Sequence, residues 1–301
     1  MRPGDFSYPS RYLKVLGYNL HYLDQGEGEP ILLLHGNPTW GYLWRLFLPE
    51  LSRNYRCVVP DFLGFGLSDK PTGADYGLAA QQQRLSRFVD KLGLQEITLM
   101  GHDIGGIIGL SWAAENKERV KRLVLMNTSG TVPEVLGGNR YRIPWSYLVL
   151  WPLRLPGLGE GLVQGLNFLQ RVVMPAAFWG RQFFSKEVRR GFAAPYRGWR
   201  DRKAQLVTVR QIPIWKSDPV YQMLYKTGRS LAGWQVPTQI IWGMKDPSFP
   251  PWIIHDLERL LPNHGITLRL PGAGHFLTEE KPEEILKQIK GFLQNTGVRM
   301  N

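Results

Sequence analysis

The sequence predicts an α/β fold: a mostly parallel sheet flanked by helices, with a helical cap inserted near the middle of the chain. Three observations carry that expectation. Short apolar runs, suited to strands buried on both faces, alternate with segments of helical spacing in both outer parts of the chain. Such alternation implies right-handed strand–helix–strand units and a parallel sheet. One of these strands opens straight into a helix through Gly101-His102-Asp103-Ile104-Gly105. The alternation is then suspended over residues 130–232, which carry no strand run and are rich in aromatics, arginine and proline. The expected division is a core of residues 1–129 and 233–301 and a helical cap of 130–232.

Each element follows from its local pattern. Tyr12–Val15 and Tyr18–Leu23 alternate around Gly17 and predict a hairpin. Ile31–Leu34 is a continuous apolar run, as is Arg56–Val59 with the single cysteine, Cys57, which is expected to be buried as a small hydrophobe. A helix fits Tyr42–Leu51, and another fits Leu78–Leu92, where Leu85, Phe88, Val89 and Leu92 share a face. Strand Ile97–Met100, the helix opened by the pentapeptide, and strand Arg122–Met126 complete the first half. Helices are expected near 160–173, 186–193, 199–210 and 217–231. The pattern then resumes with strand Val236–Trp242, helix Trp252–Leu261, strand Thr267–Leu270 and helix Glu283–Phe292.

Composition excludes several classes. One cysteine cannot form an internal disulfide. The chain opens on no basic segment followed by an apolar one, and has no apolar run of the ~18 residues a membrane helix needs. A soluble, cytoplasmic protein is expected. The net charge is +12, and residues 130–232 hold 16 Lys and Arg against 5 Asp and Glu. These cations are scattered among Trp, Phe and Pro without a nucleic-acid motif, so a solvated basic face is expected and no nucleic-acid partner. The partner class left open is a membrane surface or an acidic partner touched weakly through the basic cap.

The chemistry centres on the pentapeptide. A G-x-nucleophile-x-G turn between strand and helix is the nucleophile elbow of α/β-hydrolases, with the central side chain exposed on a strained turn. Serine usually occupies it; here it is Asp103. A carboxylate there points to attack on a carbon electrophile and a covalent ester. The alternative is an aspartate that merely caps the helix. Two further residues sit just past strands: Asp246 after Ile240–Gly243, and His275 after Leu268–Leu270. In an open parallel sheet, ligands bind beyond the carboxyl ends of strands. The order nucleophile, acid, histidine is the α/β-hydrolase order. Asp103 would attack, His275 would take a proton from water, and Asp246 would orient the imidazole. The backbone amides of Asn37, in His35-Gly36-Asn37-Pro38, and of Ile104 are the expected oxyanion donors. His35 and His102 are read as packed groups behind the site.

His35-Gly36-Asn37-Pro38-Thr39, Tyr42-Leu43-Trp44-Arg45, the run Pro60–Pro71, Gly101-His102-Asp103 and Gly274-His275-Phe276 together resemble the haloalkane dehalogenase family, over nearly the whole chain. The resemblance implies an α/β-hydrolase core, a helical cap, no cofactor and no metal, an Asp-His-acid triad and a small apolar substrate. In one branch the acid follows the strand after the cap, which matches Asp246; the other branch places it just past Met126, where this chain has Asn127. Ala194–Arg202 and Gln211-Ile212-Pro213 are similar to the branch that includes β-lactone decarboxylases, which use the same aspartate and expel carbon dioxide from a strained ring. Trp40, Trp179 and Phe276 are expected around the substrate.

One departure bears on substrate. Haloalkane dehalogenases carry tryptophan after the nucleophile, whose indole N–H helps hold the departing halide. Here that residue is Ile104, which has no side-chain donor. Asn37 remains as one candidate donor to the leaving group; unless a cap tryptophan such as Trp179 supplies the other, a substrate with a tethered leaving group, a lactone or an epoxide, is favoured. Epoxide hydrolysis would use cap tyrosines, for which Tyr141, Tyr147, Tyr196, Tyr221 and Tyr225 are candidates. A small-molecule receptor on a hydrolase fold is the non-enzyme alternative.

Overall fold

The structure is a computed structural model and describes residues 8–138 and 144–297. The strands are β1 (Arg11–Val15), β2 (Tyr18–Gln25), β3 (Pro30–Leu34), β4 (Arg56–Pro60), β5 (Ile97–His102), β6 (Val120–Met126), β7 (Thr238–Gly243) and β8 (Leu268–Leu270). They form one sheet in the order β1-β2-β4-β3-β5-β6-β7-β8. The hairpin strands β1 and β2 pair antiparallel, and β2 runs antiparallel to β4. Every other pairing is parallel. The apolar runs behave as their composition demands: Ile31–Leu34, Leu99, Met100, Leu123–Met126 and Ile240–Trp242 are wholly buried. Cys57 is buried in β4.

The helices are α1 (Leu48–Leu51), α2 (Leu78–Lys91), α3 (Ile104–Glu115), α4 (Trp145–Leu150), α5 (Met174–Ala177), α6 (Lys186–Ala193), α7 (Lys203–Arg210), α8 (Pro219–Leu231), α9 (Trp252–Leu260), α10 (Leu277–Glu280) and α11 (Pro282–Gly297). Two differ from expectation for identifiable reasons. The segment 42–51 is not one helix but a 3-10 turn, Gly41–Trp44, followed by α1. Pro49 lacks an N–H and would clash with the preceding turn, so the helix restarts just before it. The segment 160–173 splits into wide turns at Glu160–Gly165 and Leu169–Val173. Asn167 between them has φ 57°, a left-handed conformation that no helix continues through. The short helix α4 has no forerunner in the sequence pattern.

Between β6 and β7 the described residues contain no strand. Most of this insertion's buried side chains, among them Met174, Phe178, Phe192 and Tyr196, join the same apolar core as the sheet. A separate small cluster around Leu153, Val163, Leu169, Leu206 and Val209 holds the outer part together. Among the described residues no helix is long and apolar enough to cross a membrane.

Candidate active site

Asp103 stands at the hinge between β5 and α3 with φ 55° and ψ −131°, a conformation costly for a residue with a Cβ. The surroundings over-determine it. Its amide donates to Asn127 O at 3.2 Å, and its carbonyl accepts from Thr128 Oγ1 at 2.6 Å and Gly106 N at 3.1 Å. Glycine at 36 is obligatory, because a Cβ there would lie 2.4 Å from Asp103 Cβ. That close approach brings Asn37 N to 2.7 Å from Asp103 Oδ1. The amide of Ile104 also bonds the carboxylate. Both expected oxyanion donors therefore point at Asp103.

His275 lies in the loop between β8 and α10. Its Nδ1 is 2.8 Å from Asp246 Oδ2, and its Nε2 is 3.7 Å from Asp103 Oδ2. Asp246 is itself fixed from three sides. Its Oδ1 accepts from the amides of Ser248 (2.6 Å) and Phe249 (3.1 Å). Its Oδ2 accepts from Asn127 Nδ2, and Asn127 Oδ1 in turn accepts from Gly243 N at 2.8 Å. Phe249 stacks on the imidazole with ring centroids 5.9 Å apart. The three sequence-predicted residues are thus brought into one line, Asp246–His275–Asp103.

The charges are set by burial and by each other. Burial alone would lower His275, but the charge and hydrogen bond of Asp246, with Asp103 and Glu280, outweigh it and hold the imidazole at about 9. Burial pushes the Asp103 carboxyl up; His275 and the amides of Ile104 and Asn37 oppose that rise. With its imidazole held at about 9, His275 is protonated in the resting site at neutral pH. His102 is different: burial, and then the positive His275, push it down to about 3. It is neutral, and its Nε2 donates to His275 O at 2.8 Å. Burial lowers His35 too; its Nε2 accepts from Phe62 N at 3.1 Å, so its Nδ1 donates to Gly36 O. Both are packed supports.

The cavity over Asp103 has two kinds of wall. Ile104, Ile107, Phe249 and Phe276 line it from the core; Tyr147, Leu150, Leu169, Met174, Ile212 and Pro213 line it from the insertion. Phe276 is where the sequence places it, but the two tryptophans are corrections. Trp40 is 1% exposed and outside the cavity, its indole donating to Gly191 O at 3.1 Å while its ring stacks on Tyr42. Trp179 is 58% exposed and also outside, with Lys245 over its ring, so it cannot receive a leaving group. Of the described cap tyrosines, Tyr147 alone lines the cavity. Tyr196 is buried on Thr39 O and Gly66 N, Tyr221 bonds Glu134, Tyr225 pairs with Arg229, and Tyr141 falls outside the described residues.

Two supporting residues were not expected. Asn127 anchors Asp246, and its place one residue past β6 was the available signal. Glu280 is buried in α10; its Oε2 accepts from Gly274 N at 2.6 Å, and its Oε1 accepts from Trp179 N at 2.6 Å and Gly180 N at 3.0 Å. Nothing in its sequence context, Thr278-Glu279-Glu280-Lys281, separates it from a solvated helix face.

A strand-end aspartate elbow, an acid-held histidine and a parallel sheet define an α/β-hydrolase. The family model described as "alpha/beta hydrolase fold" matches residues 29–282. The chain is 35% identical to a cis-3-alkyl-4-alkyloxetan-2-one decarboxylase of Shewanella oneidensis, over 96% of this chain and 89% of that protein. It is 34% identical to haloalkane dehalogenase 2 of Mycobacterium bovis, over 95% and 96%. The crystal structure of haloalkane dehalogenase DbeA from Bradyrhizobium elkani superposes with a TM-score of 0.86 at 25% identity, covering 96% of this chain and 98% of that one. The chain belongs to the α/β hydrolase fold family, in the branch of haloalkane dehalogenases and β-lactone (oxetan-2-one) decarboxylases, and is a hydrolase-type enzyme.

Proposed function

We propose that Asp103, His275 and Asp246 form a nucleophilic triad that opens a strained β-lactone bearing apolar substituents, beneath a cap formed by residues 130–232. The observation that carries this reading is the wall beside the nucleophile. Ile104 offers no donor, and among the residues whose side chains are described no tryptophan lines the cavity, Trp40 and Trp179 both lying outside it. A departing halide would be stripped of water without an indole to receive it, and loss of one such donor costs about 2.7–4 kcal/mol by analogy with oxyanion-hole deletions. A lactone keeps its leaving group attached. The relative in Shewanella oneidensis is named for an oxetan-2-one.

The geometry suggests the steps. Asp103 Oδ1 accepts from Asn37 N, which leaves Oδ2 to attack the saturated ring carbon bonded to the ring oxygen. The carbon–oxygen bond breaks and its electron pair becomes a carboxylate on the opened substrate. That carboxylate leaves as carbon dioxide; the carbon–carbon pair forms a double bond and expels Asp103 as its carboxylate. Alkene and carbon dioxide account for every atom of the lactone, and no water is consumed. The imidazolium of His275 balances carboxylate charge throughout.

A second reading, haloalkane hydrolysis, rests on the same residues and on the dehalogenase relatives. Attack would expel halide and leave an ester on Asp103. Esterification removes one of the carboxylates that hold His275 up, so the imidazole gives up its proton more readily and can take one from water. The water oxygen adds to the ester carbonyl, whose oxyanion forms between the amides of Asn37 and Ile104. Collapse releases the alcohol and restores Asp103. The cap role is supported by its contribution to the cavity wall and by His275 N donating to Ala177 O at 2.9 Å. A cytoplasmic location and a nucleic-acid-free basic face complete the reading.

The test is a direct competition. A cis-3,4-dialkyl-oxetan-2-one should yield alkene and carbon dioxide with a kcat/KM at least about tenfold above that for bromide release from 1-bromobutane, a gap of about 1.4 kcal/mol. Faster bromide release would overturn the lactone reading in favour of the second.

A further inference from the structure

We infer that residues 148–158, at the outer edge of the insertion, seat the protein peripherally on an anionic lipid surface directly over the route to Asp103. The segment reads Leu-Val-Leu-Trp-Pro-Leu-Arg-Leu-Pro-Gly-Leu, with no acidic residue. Leu148 is 67% exposed, Val149 58% and Trp151 48%, and Leu155 and Leu158 are exposed beside them. Contiguous apolar surface of this kind marks an interaction site on a folded protein. It is also held firmly from below. Leu153 is buried in the insertion's own cluster, Arg154 Nη1 donates to Ile212 O at 2.7 Å, and Arg210 Nε donates to Leu153 O at 3.0 Å.

The same short helix faces two ways. Tyr147 and Leu150 line the cavity over Asp103, while Leu148 and Val149 between them, and Trp151 just after, face outward. An apolar molecule leaving a bilayer would need to pass only one helix to reach the carboxylate.

Charge selects the occupant. The insertion holds 16 Lys and Arg against 5 Asp and Glu, and Arg171, Arg189, Arg190, Arg197 and Arg200 are exposed on it. Exposed Trp and Leu on a segment of strongly basic surroundings in sequence match the composition of a helix lying in a headgroup layer. A second copy of the chain would bring two strongly basic surfaces together, which like-charge repulsion opposes. Anionic lipid matches both the apolar face and its charge. Lipid docking needs nothing from the proposed chemistry; only its use for substrate delivery rests on the apolar-substrate reading.

Co-sedimentation tests it without any substrate. Wild-type protein should bind vesicles of equal phosphatidylglycerol and phosphatidylcholine about tenfold or more better than pure phosphatidylcholine, and less well as salt rises. The double variant Leu148→Glu/Trp151→Glu should lose that binding while keeping its melting temperature. Val149→Glu, at a position that faces outward, serves if the double variant fails to fold. Absence of wild-type binding to anionic vesicles at low salt, or undiminished binding by a folded variant, would overturn the inference. A concentration-dependent dimer that the same substitutions abolish would also overturn it, marking the face as a self-interface. Vesicle binding without lactone turnover would sink the proposed function alone.

Discussion

At the carboxyl ends of β3, β5, β7 and β8 the groups around Asp103 are held in place: two amides on its carboxylate, and a His275 paired with an Asp246 that the Ser248 and Phe249 amides and the Asn127 side chain hold. Across the cavity, the insertion presents mostly apolar side chains on short, broken helices. The first region can decide what bond is made, because nucleophile, base and oxyanion donors all sit there. The second can decide mainly which molecule arrives. Substitutions in the core should therefore change rate by orders of magnitude, and those at the seam or in the insertion should change selectivity or stability.

The sharpest break is Asp103→Asn. Its turnover should fall by about 10⁴ or more, with the fold retained, because the nucleophile is lost and backbone bonds hold the turn. Mass spectrometry should confirm that the asparagine has not deamidated. Full activity of verified Asp103→Asn protein would dissolve the distinction between the regions. Asp246→Asn comes next, with a loss of about 10²–10⁴ expected from a mispaired imidazole. It also carries a pH signature. His275 is raised from 6.5 to about 9 in the fold, so the stability its pairing supplies is fully present below pH 6.5 and is lost as pH rises through about 9. Thermal unfolding of wild type should show that alkaline decline, and Asp246→Asn should flatten it. An identical decline in both proteins would show that Asp246 is not what holds the proton.

The comparison also explains what the sequence could disclose. Asp103, Asp246 and His275 were legible because a strand end in a parallel sheet is itself a functional position and polar residues there are few. The sheet was legible because strands buried on both faces are nearly pure apolar runs. The insertion was not. Trp40 and Trp179 carry the same composition signal, yet one is locked in the core and the other lies on the surface; only packing distinguishes them. Residues 145–150 are apolar on nearly every side, so no helical periodicity marks α4. Asn127 and Glu280 act through hydrogen bonds to residues more than a hundred positions away in sequence, or to loop backbone, which no local pattern encodes.

Ile104→Trp tests the wall where the regions meet. It restores an indole N–H beside Asp103, and bromide release should rise about tenfold or more while lactone opening does not. Ile104 is nearly buried, so the larger ring can cost about 1–3 kcal/mol of stability, and melting temperature must be read with rate. A stable Ile104→Trp protein with no gain in bromide release would remove the donor argument on which the lactone reading stands.

The smallest effect on rate should come from Glu280→Gln, at the seam itself. Glu280 accepts from Gly274 on the core side and from Trp179 and Gly180 on the insertion side. Burial raises its carboxyl, the three amides oppose that rise, and it adds to the charge that holds His275 up. Glutamine keeps the shape but turns one acceptor into a donor, so at least one buried amide loses its partner, at a cost of about 1–3 kcal/mol. Activity should fall only a few-fold, since the reacting atoms keep their own partners. The alkaline limb of its stability should begin at lower pH, because one of the charges raising His275 is gone. A melting temperature unchanged from wild type would mean that core and insertion are not joined through Glu280. A loss as large as that of Asp246→Asn would instead place this seam among the groups that set the rate.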